Sequence, residues 1–191
     1  MSELPDLVIK GYELRELLGK GGFGAVYRAY QQHVQREVAL KIILPQYANQ
    51  PDFIRRFEAE AQLVARLEHP YIVPLYDYWR DPNGAYLVMR ILRGGSLEQV
   101  LEKGPLSLEE VARLLEQIGS ALTTAHRNNV IHQDLKPANI LLDNEQNAYL
   151  TDFGISKMLD STSQITSGSG VVGTPTYMSP EQCQGKEVTP A

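Results

Sequence analysis

The sequence predicts an α+β fold: an antiparallel sheet carrying one main helix, then a mostly helical second part. Short alternating runs separated by glycine- or proline-bearing turns recur between Tyr12 and Ile91. Helical spacing interrupts them once, from Ile54 to Val64, and prevails after Ser96. Between the two regimes stands Arg93-Gly-Gly-Ser96, a strand exit, a flexible glycine pair and a helix start, which reads as a boundary between lobes. Strands followed by helices are the pattern of an α+β domain, and 191 residues suit one domain of two lobes.

Tyr12 to Leu18 alternates as a strand does. The chain then turns glycine-rich, Leu18-Gly19-Lys20-Gly21-Gly22-Phe23-Gly24, before Ala25-Val26-Tyr27-Arg28-Ala29-Tyr30, which fits a second strand. Glycine lets a backbone approach a ligand closely and aim several N–H groups at an anion. An ordinary glycine hairpin is the plainer alternative, and a dinucleotide-binding turn requires a helix directly after the glycines. Glu37 to Leu44 is a third strand with Lys41 inside it. A lysine among apolar neighbours is costly to bury unless paired; otherwise its stem snorkels to water.

The following helix supplies a carboxylate. Pro51 suits its first turn and Asp52 its positive end. Ile54, Phe57, Ala61 and Val64 mark its apolar face; Glu60 falls within that face and Glu58 points to water. A Lys41–Glu60 pair at about 4 Å and an effective dielectric of roughly 20 attracts by about 4 kcal/mol before desolvation. His69-Pro70 ends the helix. Ile72 to Trp79 and Ala85 to Ile91 read as two more strands joined by Asp81-Pro-Asn-Gly84.

Ser96 with Gln99, and Ser107 with Glu110, read as capping boxes. The second helix carries Val111, Leu114, Leu115, Ile118 and Leu122 toward a core and ends near Asn128-Asn129. His132 to Asn139, H-Q-D-L-K-P-A-N, packs an acid (Asp134), a base (Lys136) and an amide (Asn139) around Pro137, which blocks a regular helix. Taken alone it fits a solvated turn as well as a site. Ile140 to Leu142 and Ala148 to Leu150 flank a short hairpin, and T-D-F-G follows, Thr151 to Gly154. A carboxylate there is a natural hard-cation ligand or a routine turn aspartate. Asp160 to Gly170 is small and polar, buries little and is predicted to be mobile.

The net charge is -5, so no basic excess points to nucleic acid. Cys183 is the one cysteine, which excludes an internal disulfide and fits a reducing compartment. No apolar run is long enough to span a bilayer, and the N-terminus lacks a secretory pattern, so a cytoplasmic protein is expected.

In order, the chain shows a glycine loop, V-A-L-K, a helix glutamate, H-Q-D-L-K-P-A-N, D-F-G, and S-P-E where a related motif is A-P-E. In these it resembles the protein kinases, most of all the bacterial Hanks-type (eukaryotic-like) Ser/Thr kinases. The resemblance implies a bilobal kinase-like domain over 1–191, with an N-lobe at 12–89, a hinge at 90–95 and a partial C-lobe at 96–191. Within that C-lobe it implies a catalytic loop at 132–139 and an activation segment at 152–181. It implies that Leu18 to Gly24 cover the ATP phosphates and that Lys41, held by Glu60, binds the α- and β-phosphates. Val26, Ala39 and Leu141 would sandwich the adenine, with Met89 behind it and the Arg90 and Leu92 backbone at its edge. Asp152 and Asn139 would hold magnesium, with manganese as an alternative. Asp134 would accept the substrate hydroxyl proton and Lys136 would stabilise the transferring phosphoryl. Lys136 and Thr174 match the Ser/Thr subclass, and the 152–181 segment points to a protein substrate with a Ser or Thr acceptor. The oligomeric state stays open.

Two departures stand out. Gln133 replaces the usual arginine, and Gly170 lies where many kinases carry a loop phosphosite, so activation is expected to bypass that phosphate–arginine clamp. Thr166, Ser167 and Ser169 are candidate phosphosites. The chain also stops before further C-lobe helices that the family has. From this we expect an exposed patch on the Ser107 helix, an unpartnered Glu181, low stability and weak activity of this piece alone. A parent anchored in a membrane beyond residue 191 would fit relatives of this kind. The alternative reading is a non-catalytic, kinase-like fragment that binds nucleotide or partners.

Overall fold

The computed structural model describes residues 7–153, 175–186 and 188–189. The chain divides into two compact units. One comprises Met1–Glu58 with Pro74–Ile91, the other Ala59–Val73 with Leu92–Ala191.

Six antiparallel strands build the first unit: β1 (Val8–Ile9), β2 (Tyr12–Gly21), β3 (Gly24–Gln31), β4 (Arg36–Ile43), β5 (Leu75–Asp81) and β6 (Gly84–Arg90), in the order β1-β2-β3-β4-β6-β5. Their alternation sorts two faces. One carries a core of Tyr12, Leu14, Ala29, Val38, Leu40, Tyr86 and Val88. Tyr12 stacks on Trp79 at 5.7 Å, and Trp79 on Tyr86 at 4.7 Å. On the other face Val26 opposes Lys41, Lys41 opposes Leu87, and Ala39 opposes Met89.

Two helices accompany the sheet. The four-residue α1 (Pro45–Ala48) is absent from the sequence expectation, being too short for a helical period. Proline at its first turn starts it, and Tyr47 meets the edge of Phe23 at 5.0 Å. The long α2 (Pro51–Ala65) buries Phe53 and Phe57 completely, each worth about 1.5–3 kcal/mol of burial. Phe57 meets Tyr78 edge-on at 6.2 Å. Glu58 is exposed and Glu60 half-buried, as the helical phase requires.

The strand expected from Ile72 begins only at Leu75. Ile72 and Val73 belong to the second unit instead: Ile72 bridges Leu150 in parallel, and Val73 N–H donates to Leu150 O at 2.8 Å. Pro74, which lacks an N–H, separates the two pairings.

The second unit contains α3 (Leu97–Leu101), α4 (Leu108–Arg127), β7 (Ile140–Leu142), β8 (Ala148–Leu150) and α5 (Pro180–Cys183). Both expected capping boxes are formed, Ser96 with Gln99 and Ser107 with Glu110. The core joins Leu67, Ile72, Leu97, Ile118, Ala121, Ala125, Val130, both hairpin strands and Phe153.

The buried face of α4 coincides with the expected one only in part. Ile118, Ala121 and Ala125 are buried, Leu114 and Leu122 partly so, whereas Leu115 is 64% exposed and Val111 and Leu108 also lie outside. The small side chains of Ala121 and Ala125 leave room for the β7–β8 hairpin. Gln117 is buried with them because it has hairpin partners: its Nε2 donates to Asn147 Oδ1 at 3.0 Å, and Ala148 N–H donates to its Oε1 at 2.8 Å. Among the described residues no helix is long and apolar enough to cross a membrane.

Candidate active site

His132 to Asn139 folds as a chain of mutual restraints. Pro137 opens a single 3-10 turn, Pro137–Asn139, that brings Asn139 back toward Asp134. Asn139 is buried, and its Nδ2 donates to Asp134 O and to Asp134 Oδ2, both at 2.8 Å. Lys136 Nζ pairs with the same Oδ2 at 2.9 Å, with each side chain about one-quarter exposed. Among the described residues no partner occupies Asp134 Oδ1 or Asn139 Oδ1. The cluster therefore offers one carboxylate oxygen and one amide oxygen as acceptors, beside a lysine cation.

His132 anchors the start of this loop. It is 2% exposed, and its Nε2–H donates to Thr151 O at 2.8 Å. Its Nδ1 accepts from Asp134 N–H at 3.3 Å, which makes the neutral Nε2–H tautomer the one that fits. The ring packs on Phe153 at 4.6 Å. Burial holds the imidazole below its ordinary pKa, against the opposing pull of the Thr151 carbonyl and the Asp152 and Asp134 carboxylates. The unfolded chain thus takes up this proton first, so stability is full above about pH 6.5 and falls as the pH drops through the lowered value. Melting followed by circular dichroism should show a midpoint that falls between about pH 7 and 5, with a shallower fall in His132→Asn. An unchanged slope in that variant would remove His132 as the cause.

Asp152 follows on the same frame. Thr151 N–H donates to Asn139 O at 3.1 Å, tying the strand exit to the loop. Asp152 itself is half-buried with φ +63°, and Gln133 has the same φ. A left-handed residue with a side chain costs about 1–3 kcal/mol and persists where its surroundings hold it. Leu141 is half-buried in β7, and Leu92 is half-buried just past the unit boundary.

In the first unit the strand register sets Val26, Ala39, Lys41 and Met89 on one sheet face. Arg90 alternates to the other face, and its N–H donates to Pro74 O at 3.1 Å. Leu18 and Lys20 are exposed on β2, and Phe23 is held by Tyr47. The glycines differ in kind. A Cβ built on Gly19, Gly21 or Gly22 meets nothing within 4 Å, whereas on Gly24 it collides with the Ile42 carbonyl oxygen. Lys41 lies in the first unit and Glu60 in the second.

The donor chemistry fits a hard cation bound with phosphate. Asp152 carboxylate and Asn139 Oδ1 are hard oxygen ligands, too few for an all-protein cage. Among the described residues no group of three His, Cys, Asp or Glu side chains is placed to hold a metal. A magnesium ion keeping waters and phosphate oxygens suits such a pair. Thr166, Ser167, Ser169, Gly170 and Thr174 lie outside the described residues. Glu181 is half-buried and makes no ion pair with a described residue. One contact went unforeseen: Gln182 Nε2 donates to Gln133 O at 2.6 Å. No side-chain pattern signals it; Ser179-x-x-Gln182 signals only a third capping box, which the structure forms.

Residues 12–191 match the protein kinase domain, and the chain belongs to that family. It is 43% identical over 175 residues to the serine/threonine-protein kinase PrkC of Bacillus subtilis, covering 91% of this chain and 27% of that protein. To PknA of Mycobacterium tuberculosis it is 40% identical over 186 residues, covering 94% and 43%. The solved kinase domain of Mycobacterium tuberculosis PknI superposes with a TM-score of 0.80 at 27% identity, over 99% of this chain and 71% of that one. The chain spans less than half the length of these curated relatives.

Proposed function

We propose that this chain is the catalytic part of an ATP- and magnesium-dependent Ser/Thr protein kinase with a signalling role, transferring the γ-phosphoryl to a protein hydroxyl. The observation that carries this is Asp134, whose Oδ2 is held by Asn139 and Lys136 while Oδ1 faces no described partner. Family membership and relatives named as serine/threonine-protein kinases support it.

In this reading the substrate hydroxyl donates to Asp134 Oδ1, its oxygen attacks the γ-phosphorus, its proton passes to the carboxylate, and ADP leaves. Such a transition state is loose, so positioning and charge neutralisation do most of the work. Lys136 supplies a cation beside the reacting oxygen. Lys41, with Glu60 as its counter-ion, binds the α- and β-phosphates, and the glycine-rich backbone from Leu18 to Gly24 covers them. Val26, Ala39, Leu141 and Met89 line the adenine, with Arg90 and Leu92 bonding its edge through their backbone. Magnesium, held by Asp152 and Asn139, neutralises the phosphates when bound.

Thermal-shift titration tests the nucleotide half. ATP with magnesium should raise the melting midpoint of the wild type, and Asp152→Ala should abolish the magnesium-dependent part of that rise. Transfer of labelled phosphate to a Ser/Thr peptide tests the catalytic half. Binding without transfer would leave a nucleotide-binding module.

A further inference from the structure

The reading above gives Gln182 no chemical role, yet its carboxamide has two partners. Its Oε1 accepts from Ser179 N–H at 3.0 Å and completes the cap of α5. Its Nε2 donates to the carbonyl of Gln133 at 2.6 Å. That carbonyl and the Asp134 N–H belong to one peptide plane. The N–H side is held by His132 Nδ1 at 3.3 Å, and the oxygen side by Gln182. The residue leading into this plane, Gln133, holds φ +63°, a region that side-chain-bearing residues rarely occupy. Rotating the plane would swing the Asp134 Cα and carboxylate away from Asn139 and Lys136.

We propose that Gln182 is a positioning residue: it clamps the 133–134 peptide and so aims the Asp134 carboxylate. Correct aim of the base then depends on α5 being seated against the loop. This rests on Asp134 being the base. The ordinary alternative is that Gln182 serves only as a helix cap, and two variants separate these roles. Gln182→Glu keeps an acceptor for Ser179 N–H, as glutamate does in a capping box, and removes the donor to Gln133. Ser179→Ala removes the capping hydroxyl, which Gln182 N–H reaches at 3.4 Å, and leaves that donor intact.

The test compares these variants in the full chain by steady-state kinetics with a Ser/Thr peptide and by exchange of the Asp134 amide hydrogen. Gln182→Glu should lower kcat by about tenfold, the factor that one hydrogen bond of about 1.4 kcal/mol commands. The KM for ATP should stay within about twofold, since this bond bears on the base and not on the phosphates. Exchange at the Asp134 amide should accelerate by a similar factor. Ser179→Ala should lower the melting midpoint and leave kcat and that amide as they were. If the new carboxylate unfolds the segment by repelling the Gln133 carbonyl, Gln182→Met removes the donor without adding a charge; because it also removes the cap acceptor, its kcat and amide exchange should show the same changes relative to Ser179→Ala. Wild-type kcat and amide protection in the Gln182 variants would overturn the proposal, as would an equal kcat loss in Ser179→Ala. If the wild type binds ATP but transfers nothing, the kinase reading fails, and the amide exchange alone decides whether Gln182 holds the loop.

Discussion

Asp134→Asn should lower phosphoryl transfer by about 10²–10⁴-fold, the usual contribution of a placed general base, with ATP affinity almost unchanged. The substitution preserves shape, so the effect follows from which atoms donate. Asn139 Nδ2 and Lys136 Nζ both approach Oδ2 as donors. The amide oxygen of the variant will take that side, because the two donors demand an acceptor. Its NH2 then occupies the place of Oδ1 and offers a donor where the substrate hydroxyl needs an acceptor. Initial rates measured beside a nucleotide titration check this. A parallel loss of ATP affinity would mean that the variant is misfolded, and retention of the rate would remove Asp134 from the chemistry.

Gly24→Ala should destabilise the protein by about 1–3 kcal/mol, as overpacking does, and lower Tm by about 2–12 °C. The added Cβ has nowhere to go. Beyond its collision with the Ile42 carbonyl oxygen it would sit 2.9 Å from Ile42 C and 3.1 Å from Ile43 Cα, all backbone of the neighbouring strand. Gly21→Ala meets open space and should leave Tm unchanged while weakening ATP binding. Calorimetry on both variants checks the contrast, and equal midpoints would refute it.

That contrast marks how far the sequence could be read. The four glycines share one motif, and spacing assigns them one purpose. Only the register, which pairs Gly24 with Ile43, shows that Gly24 is also required by the sheet. Strands β2, β3, β4 and β6, the β7–β8 hairpin and both expected caps were legible because periodicity and turn chemistry are local. The start of β5 was not: Ile72 and Val73 are as apolar as a strand demands, but their partner is Leu150, far along the chain. Leu115 lies outside and Gln117 inside because helical spacing fixes a stripe only to within a residue. Partners on the hairpin, invisible to local pattern, decided that the polar side chain goes inside. Within the site, residue types at fixed spacing identified Asp134, Lys136 and Asn139 as a group, and all three meet in the fold. Gln182 escaped because its partner is a main-chain carbonyl, and no side-chain pattern encodes the exposure of a carbonyl.

Trp79 lies between the rings of Tyr12 and Tyr86, with the Lys10 ammonium 4.8 Å above its centre. It is the chain's one tryptophan and belongs wholly to the sheet-bearing unit. Its emission is thus a spectroscopic label placed by nature in one half of the molecule. When that half loosens, the indole parts from both tyrosines and from the cation together, and its fluorescence reports this without a contribution from the half that carries Asp134.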